Sequence, residues 1–234
     1  MRPATLGLVM GLRVLARVLA VVLCGAAVFV PLSGSGQDAC ATPRLLTPVG
    51  AALPRTGFAL VVTDARQEGL VAALVRGRRR TPLVVAPLGP GLFRLSEAVG
   101  PGTYRLEGVS ASSEVVVSAR AARPAPAVVP SVRAARRVAS TAMGSGETRS
   151  EILVDLGFTV PQGVIIARAH WNGSDDVAVW TTVAAGQTSF AIPLQPECVP
   201  PGWQPPPDGA LSMRVSFVDL LGQPSPLSTA VNVE

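Results

Sequence analysis

The stretch GPGTYRLE, residues 100–107, contains a turn followed by a strand with two different faces. Glycine and proline break the preceding element, and Tyr104 and Leu106 then alternate with polar neighbours. A period of two residues places one set of side chains on the buried face of a sheet and the other set toward solvent. The stretch therefore predicts a half-buried β-strand.

The same pattern continues outward through residues 37–118. Apolar residues recur at alternate positions or in short runs, and Gly or Pro separates each run from the next. The predicted strand residues of this half are Phe58, Leu60, Val62, Leu70, Ala72, Leu74, Leu83 to Ala86, Val115 and Val117. Roughly six or seven short strands in about 80 residues are typical of a β-sandwich, so we predict one sandwich domain here.

Residues 131–234 repeat this organisation with longer strands. Their alternating apolar residues are Ile152, Val154, Leu156, Ile165, Ala167, Ala169, Trp171, Val177, Val179, Val183, Phe190, Ile192, Leu194, Met213, Val215, Phe217, Val231 and Val233. Between the halves, segment 119–130 predicts a semi-rigid linker, because its prolines cannot donate to a sheet ladder. The predicted fold class is all-β, with sandwich domains at 37–118 and 131–234 after an N-terminal signal helix.

Residues 1–36 have the organisation of a secretory signal peptide. Their first part carries three arginines and no acidic residue, and the run from Val18 to Leu32 is uncharged and ends in small residues. We expect cleavage after Ser35 or Gly36 and a periplasmic or extracellular mature chain. The alternatives are an uncleaved membrane anchor and a lipoprotein signal at Cys24, although a bulky leucine precedes that cysteine.

Cys40 and Cys198 are the cysteines that remain after such a cleavage. In an oxidising compartment two cysteines most simply pair with each other, so we predict a disulfide between them; two free thiols are the alternative. Cys198 lies in the proline-rich stretch Pro193 to Pro207, which interrupts the strands and also contains Trp203. The bond would tie the N-terminus of the mature chain to the second domain.

The charge of the chain argues against a nucleic-acid partner. All 20 basic residues are arginine, a usage typical of a GC-rich bacterial genome. The formal charge is +5, but three arginines lie in the signal segment, which leaves 17 basic against 15 acidic residues. Because nucleic-acid binding depends on a strong basic excess, we expect none, and membrane contact only through the signal segment if it is not cleaved.

The sequence offers little material for catalysis. His170 is the only histidine, so a histidine metal cluster is excluded and a catalytic triad would have to be built on this residue alone. It shares the outward face of its predicted strand with Arg168, and we expect an ordinary surface histidine. Asn172 to Asp176 predicts a hairpin turn rather than a calcium loop, which needs six to eight oxygen ligands. We predict no catalytic residue, no metal, no cofactor and no enzymatic activity.

Two groups of residues are candidates for ligand binding. The first is the loop tip Arg76 to Arg80, between two predicted strands, where the guanidinium groups of Arg78, Arg79 and Arg80 can clamp phosphate or carboxylate; the alternative is a charged turn that prevents edge pairing. Trp180 and Trp203 are candidates for an exposed aromatic platform that stacks on sugars; the alternative is a core or loop-anchoring role.

Two stretches resemble known families of β-sandwich. PGTYRLEGV, residues 101–109, resembles the closing strand of bacterial Ig-like domains, and Pro48 to Gly50 resembles their opening. RVSFVDLLGQPSPLSTAVNVE, residues 214–234, is similar to the end of a fibronectin type III domain, where an Asp-x-x-Gly turn and a Ser-Pro pair lead to the final strand.

The resemblance implies Ig-like and fibronectin type III-like sandwiches with a role in adhesion, spacing or ligand presentation. The expected function is that of a non-catalytic, exported binding or structural protein, whose Ig-like domains meet an unknown protein or envelope polysaccharide. The alternative is a carbohydrate-binding module that uses exposed tryptophans.

Overall fold

The structure is a computed structural model of the chain. It describes residues 43–47, 52–55, 58–63, 70–109, 114–119, 127–141, 148–194, 203, 205–207 and 209–234. All of these lie in one compact unit, residues 37–234. The predicted signal segment and all three cysteines lie outside the described residues, so cleavage and the Cys40–Cys198 bond stay predictions. Within the described part, no helix is long and apolar enough to cross a membrane.

The regular elements of the described residues are β-strands, which confirms the predicted all-β fold class. The described strands of the N-terminal half are β1 (Arg44–Leu45), β2 (Ala52–Leu53), β3 (Phe58–Thr63), β4 (Ala73–Arg76), β5 (Arg79–Pro82), β6 (Val84–Gly89), β7 (Leu92–Glu97), β8 (Gly102–Glu107) and β9 (Glu114–Val117).

These strands form two sheets that face each other. One has the order β1-β3-β7-β6 and the other the order β2-β9-β8-β4-β5. Pairing is antiparallel except between β2 and β9. Leu60 and Phe93 from the first sheet meet Leu74 and Leu106 from the second in one buried cluster, which is the core of the N-terminal sandwich.

The C-terminal half forms the second sandwich. Its described strands are β10 (Val132–Thr141), β11 (Thr148–Leu156), β12 (Val164–Trp171), β13 (Val179–Thr182), β14 (Ser189–Pro193), β15 (Leu211–Asp219) and β16 (Val231–Val233). They pair in the order β13-β12-β15-β16-β10-β11-β14, with β10 and β16 parallel. The sheet folds into two layers, so that Ile152 and Phe190 from one layer pack with Ala167 and Phe217 from the other.

Four described strands are not predicted by alternation: β1 and β2, which have two residues each, and β5 and β7. β7 has the adjacent apolar residues Leu92 and Phe93, which are both buried on opposite faces of the strand. A strand that is buried on both faces has no alternating pattern. β5 begins at Arg79 and has no apolar alternation either, and it forms through its antiparallel pairing with β4.

Both faces of β3 and β12 are also buried. Leu60 and Val62 of β3 point into the N-terminal core, whereas Val61 lies in a separate apolar cluster with Leu92, Ile166 and Val218. This cluster joins the β1-β3-β7-β6 sheet to the β12–β15 layer of the C-terminal sandwich. We call the contact between the two sandwiches the seam. The prediction that alternate residues of these strands face solvent is wrong, because the other sandwich covers them.

Candidate functional site

A group of buried polar side chains lies on the seam-facing side of β12 and β15. Arg168 is 8% exposed, His170 is 3% exposed and Ser216 is 0% exposed. Arg168 and Ser216 are direct partners in the antiparallel ladder, so their side chains leave the sheet on the same face. The prediction that His170 is a surface histidine is wrong, because the loop after β12 folds back and contacts its ring through the carbonyl of Asp175.

The three residues form one chain of hydrogen bonds. Arg168 Nε donates to Ser216 Oγ at 3.1 Å, and Ser216 Oγ lies 3.1 Å from His170 Nε2. A carbonyl oxygen only accepts, so the contact of 2.9 Å between Nδ1 and the carbonyl of Asp175 places a proton on Nδ1. In the neutral ring, Nε2 then accepts from the Ser216 hydroxyl, whose oxygen accepts from Arg168. The network thus selects one tautomer of neutral His170.

The electrostatics favour the same protonation state. Burial, followed by the positive charge of Arg168, lowers the pKa of His170 below its usual 6.5. Arg214 adds a smaller effect in the same direction, and hydrogen bonds to the backbone of Asp175 and Asp176 oppose it. Burial also lowers the pKa of Arg168, but a guanidinium keeps its proton in proteins. Arg168 thus supplies the positive charge of the network.

The network continues into the N-terminal sandwich. Arg168 Nη1 donates to the carbonyl of Leu88 at 2.9 Å, and Trp180 Nε1 donates to the carbonyl of Pro90 at 2.8 Å. Both carbonyls belong to the end of β6 and the turn that follows it. A Cβ on Gly89 would lie 2.9 Å from Cγ1 of Val177, so glycine permits this close approach. The β6–β7 turn is therefore docked on the C-terminal sandwich by two hydrogen bonds and tight packing.

The pair of Ser216 and His170 has the spacing of a nucleophile and its base, but its surroundings differ from those of a catalytic pair. The Ser216 hydroxyl is inaccessible to solvent and accepts a bond from Arg168. The third member is a backbone carbonyl, whereas the carboxylate of Asp175 bonds to Arg214 at 2.9 Å. In this arrangement the hydroxyl and the imidazole bond to other groups of the protein and order the seam.

The residues between β12 and β13 form the predicted turn. Asn172 and Gly173 have φ values of 46° and 82°, and the Ser174 amide donates to the carbonyl of Trp171 at 2.9 Å. Positive φ at both central residues is the signature of a type I′ turn, for which Asn-Gly is the preferred pair. The hairpin-turn interpretation of Asn172 to Asp176 is confirmed.

The predicted basic cluster lies on a β-hairpin formed by β4 and β5, residues 73–82, which we call the arginine hairpin. Arg76 and Arg79 close the ladder, so Gly77 and Arg78 make a two-residue turn. Gly77 has a φ of 61°, whereas Arg78 is not among the residues with positive φ. These values are those of a type II′ turn, which takes glycine at its first central position. Arg78 consequently occupies the tip, and Arg78, Arg79 and Arg80 are exposed.

Two further arginines belong to this surface. Arg105 Nη2 and Arg80 Nε contact the two carboxylate oxygens of Glu107 at 2.7 and 3.3 Å. Arg76 Nη1 donates to the carbonyl of Pro101 at 3.0 Å, and its guanidinium lies 5.7 Å from the centroid of the Tyr104 ring. Sequence reasoning included Arg76 in the basic cluster but missed Arg105. The outward position of Arg105 in the alternating strand was available as a signal, but its cross-strand neighbours were not.

The candidate tryptophans occupy different surroundings. Trp180 is half-buried, packs against the seam cluster and donates its indole N–H to Pro90, which is an anchoring role. Trp203 is also half-buried, and the residues on both sides of it in the sequence lie outside the described residues.

Comparisons with known proteins do not assign a family. No protein-family model and no curated protein matches the chain. Among solved structures, it is similar to the fibronectin(III)-like modules of CbhA from Clostridium thermocellum, with 13% identity and a TM-score of 0.28 over 82% of this chain and 92% of that one. It is also similar to the FN1–FN3 domains of chicken CNTN1, with 12% identity and a TM-score of 0.23 over 82% of this chain and 64% of that one.

Similarities of this size carry no inference about activity or partners. The class of the protein follows from its own strands: it is an all-β chain that contains two β-sandwiches, joined across a seam that holds a buried Arg-Ser-His network.

Proposed function

We propose that this chain is a non-catalytic, exported binding or structural protein in which the seam fixes two Ig-like sandwiches relative to each other. The sandwiches then present their loops and edges at a set spacing to a protein or an envelope polymer. The observation that carries the proposal is the buried network of Arg168, Ser216 and His170. The side chains of this network are the ones best suited to catalysis, but they bond to one another. Arg168 also donates to the carbonyl of Leu88 in the other sandwich.

A fixed arrangement has a physical basis in this contact. The seam combines the apolar cluster around Ile166 and Val218 with hydrogen bonds from Arg168 and Trp180. Separation of the sandwiches would expose the apolar cluster to water and break the hydrogen bonds that Arg168 and Trp180 donate across the seam. Burial of apolar surface is favourable and the polar groups keep partners in the joined state, so that state is favoured.

The proposed location is the periplasm or the extracellular space. It is supported by the signal pattern of residues 1–36 and by the cysteines, which suit an oxidising compartment. We expect the exported chain to begin after Ser35 or Gly36 and to contain the Cys40–Cys198 bond. Intact-mass analysis of the exported protein, before and after reduction and alkylation, tests both expectations; free thiols would contradict the second.

The alternative of a carbohydrate-binding module on Trp180 and Trp203 receives less support from the geometry. Trp180 packs in the seam and donates its N–H to the carbonyl of Pro90. Its ring is therefore less accessible for stacking on a sugar than an exposed indole. The arginine hairpin is the more accessible of the predicted binding residues.

The rigidity of the pair can be tested by ¹⁵N NMR relaxation on the purified chain. A fixed seam gives the amides of both sandwiches the same rotational correlation time, and Arg168→Ala is expected to make the two values diverge. Arg136→Ala, at an exposed position on β10, is the matched control and leaves them equal. Different correlation times in the unsubstituted chain would contradict the proposal.

The absence of catalysis has its own test. A fluorophosphonate probe reacts with activated serines, and we expect no labelling at Ser216. Labelling that Ser216→Ala removes would show a reactive serine and would overturn the non-catalytic assignment.

A further inference from the structure

We propose that the arginine hairpin and the adjoining face of β8 bind an acidic polysaccharide, a linear polymer with carboxylate or phosphate groups along its length. This inference rests on the proposed function and names the chemistry of the partner. Four properties of the arginines on this surface support it: their charge, their spacing, the ordering of their side chains by neighbouring residues, and their exposure.

The surface has an excess of positive charge. It contains five arginines, which are Arg76, Arg78, Arg79, Arg80 and Arg105. Two glutamates lie among them: Glu107 is shared by Arg80 and Arg105, and Glu114 faces Arg105 in the ladder. No hydrogen bond or ion pair to another described residue occupies the side chains of Arg78 and Arg79. These two guanidinium groups are thus free to bind an anion in the bidentate manner that arginine favours.

The charges are arranged in a row rather than around a hollow. Val75 is the ladder partner of both Arg80 and Arg105, so the three residues lie side by side across β5, β4 and β8 on one face. Neighbouring strands are about 4.8 Å apart, which puts the backbones of the two arginines about 10 Å from each other. Strand alternation directs Arg79 to the other face of β5, the side of its ladder partner Arg76, and Arg78 lies at the tip of the hairpin. A polymer with repeated anionic groups can follow the row and pass around the edge strand to these positions, whereas a single small anion meets one or two.

Several arginines of this surface are ordered before any ligand binds. Arg80 and Arg105 are held by Glu107, and Arg76 is held by the Pro101 carbonyl and the Tyr104 ring. A Cβ on Gly102 would lie 2.7 Å from Nη1 of Arg76, so a glycine leaves room for this guanidinium. Side chains that are already positioned lose less conformational entropy on binding.

The second sandwich leaves this surface uncovered. The seam is made by the β1-β3-β7-β6 sheet, whereas the arginine hairpin is at the edge of the β2-β9-β8-β4-β5 sheet, on the other side of the N-terminal core. β5 is the edge strand, and its arginines are exposed.

The composition of the tip favours a polymer over a membrane surface. Stable membrane attachment requires buried apolar area together with charge. The turn consists of Gly77 and Arg78, flanked by Arg76 and Arg79, and it has no apolar side chain to insert.

The experiment measures binding of the full purified chain to fluorescently labelled alginate, a linear carboxylate polymer, by fluorescence anisotropy. Linear polyphosphate distinguishes phosphate from carboxylate, and dextran is the neutral polymer control. The key variant is Arg78→Gln with Arg79→Gln. The matched control is Arg136→Gln with Arg137→Gln, which removes the same charge from adjacent exposed positions on β10.

We expect the unsubstituted chain to bind alginate or polyphosphate and not dextran. The hairpin double substitution should weaken binding about tenfold at low salt and reduce the slope of log K against log salt by about 1.4, since each contact with a flexible polyanion contributes about 0.7. The β10 double substitution should change the affinity less than twofold.

Three results would overturn the inference. The first is no binding to either polyanion, and the second is an equal loss in the two double variants, which would show an effect of net charge alone. The third is binding to vesicles of phosphatidylcholine with 30% phosphatidylglycerol in the absence of polymer binding, which would indicate a membrane surface. If any of these occurs while both sandwiches keep one correlation time, the proposed function stands and only the polysaccharide is wrong.

Discussion

The seam and the arginine hairpin use the same residue type on β-strands for opposite purposes. Arg168 on β12 is buried, and its guanidinium donates to the Ser216 hydroxyl and the Leu88 carbonyl, which are both groups of the protein. Arg79 on β5 is exposed, and its side chain makes no hydrogen bond or ion pair with another described residue. The difference lies in what covers each strand. The N-terminal sandwich lies against β12, whereas β5 is the edge strand of the β2-β9-β8-β4-β5 sheet, which does not form the seam.

The comparison also separates stability from binding. A buried guanidinium must have its donors satisfied, because the loss of solvation is large and only well-aligned partners offset it. An exposed guanidinium is solvated, so it contributes little to folding and remains available to a ligand. We therefore expect substitutions in the seam to change the free energy of unfolding, and substitutions in the hairpin to change binding alone.

The largest effect is expected from Arg168→Ala. It leaves the Leu88 carbonyl and the Ser216 hydroxyl without their donor, and we expect a loss of about 2–4 kcal/mol in the free energy of unfolding. Urea denaturation followed by circular dichroism measures it, with Arg79→Ala as the exposed control. Equal effects of the two substitutions would break the distinction between the regions.

Trp180→Phe is expected to have the next largest effect. Phenylalanine keeps an aromatic ring in the seam but cannot donate to the Pro90 carbonyl, so we expect a loss of about 1 kcal/mol. The same denaturation experiment provides the measurement, and Trp203→Phe is the comparison. If Trp180→Phe is neutral for stability but abolishes binding to a neutral sugar, the anchoring role is wrong.

The seam should also respond to pH through His170. The folded-state pKa lies below the usual 6.5, so at pH values between the two only the unfolded chain takes up the proton. The free energy of unfolding should therefore be highest above about pH 6.5, decline as the pH falls below it and level off below the folded-state pKa. His170→Gln should remove this decline, which urea denaturation at pH 7.5, 6.5 and 5.5 would show. An unchanged slope in the variant would assign the response to another group.

The smallest effect on stability is expected in the hairpin. Arg78→Gln with Arg79→Gln removes two exposed charges and no observed hydrogen bond, so the midpoint of thermal unfolding should stay close to that of the unsubstituted chain, within about 0.5 kcal/mol. A large destabilisation would indicate a structural role for these arginines and would remove the contrast with Arg168. Differential scanning calorimetry is the suitable measurement.

Local sequence patterns predicted much of the fold and the arginine hairpin, but not the seam. Alternation placed Tyr104 and Leu106 of β8 and Ala167, Ala169 and Trp171 of β12 in their cores, and the turn residues placed Arg78 at an exposed tip. Ile165 was predicted with the same β12 set but packs against the seam cluster, next to a register shift in the β12–β15 ladder. The same reasoning failed at Leu92 and His170. Leu92 and its neighbour Phe93 are buried on opposite faces, and the imidazole of His170 is covered by the loop that carries Asp175.

The alternating strands, the turns and most of the core residues follow from the sequence, because they depend on residues close together in the chain. The coverage of the outward faces follows only from the packing of one sandwich on the other. Arg168 meets Leu88 from 80 positions away and Trp180 meets Pro90 from 90 positions away, and no local period encodes such pairings. The burial of a second face depends on a surface of another sandwich, and this contact turned an expected surface histidine and arginine into the centre of the seam.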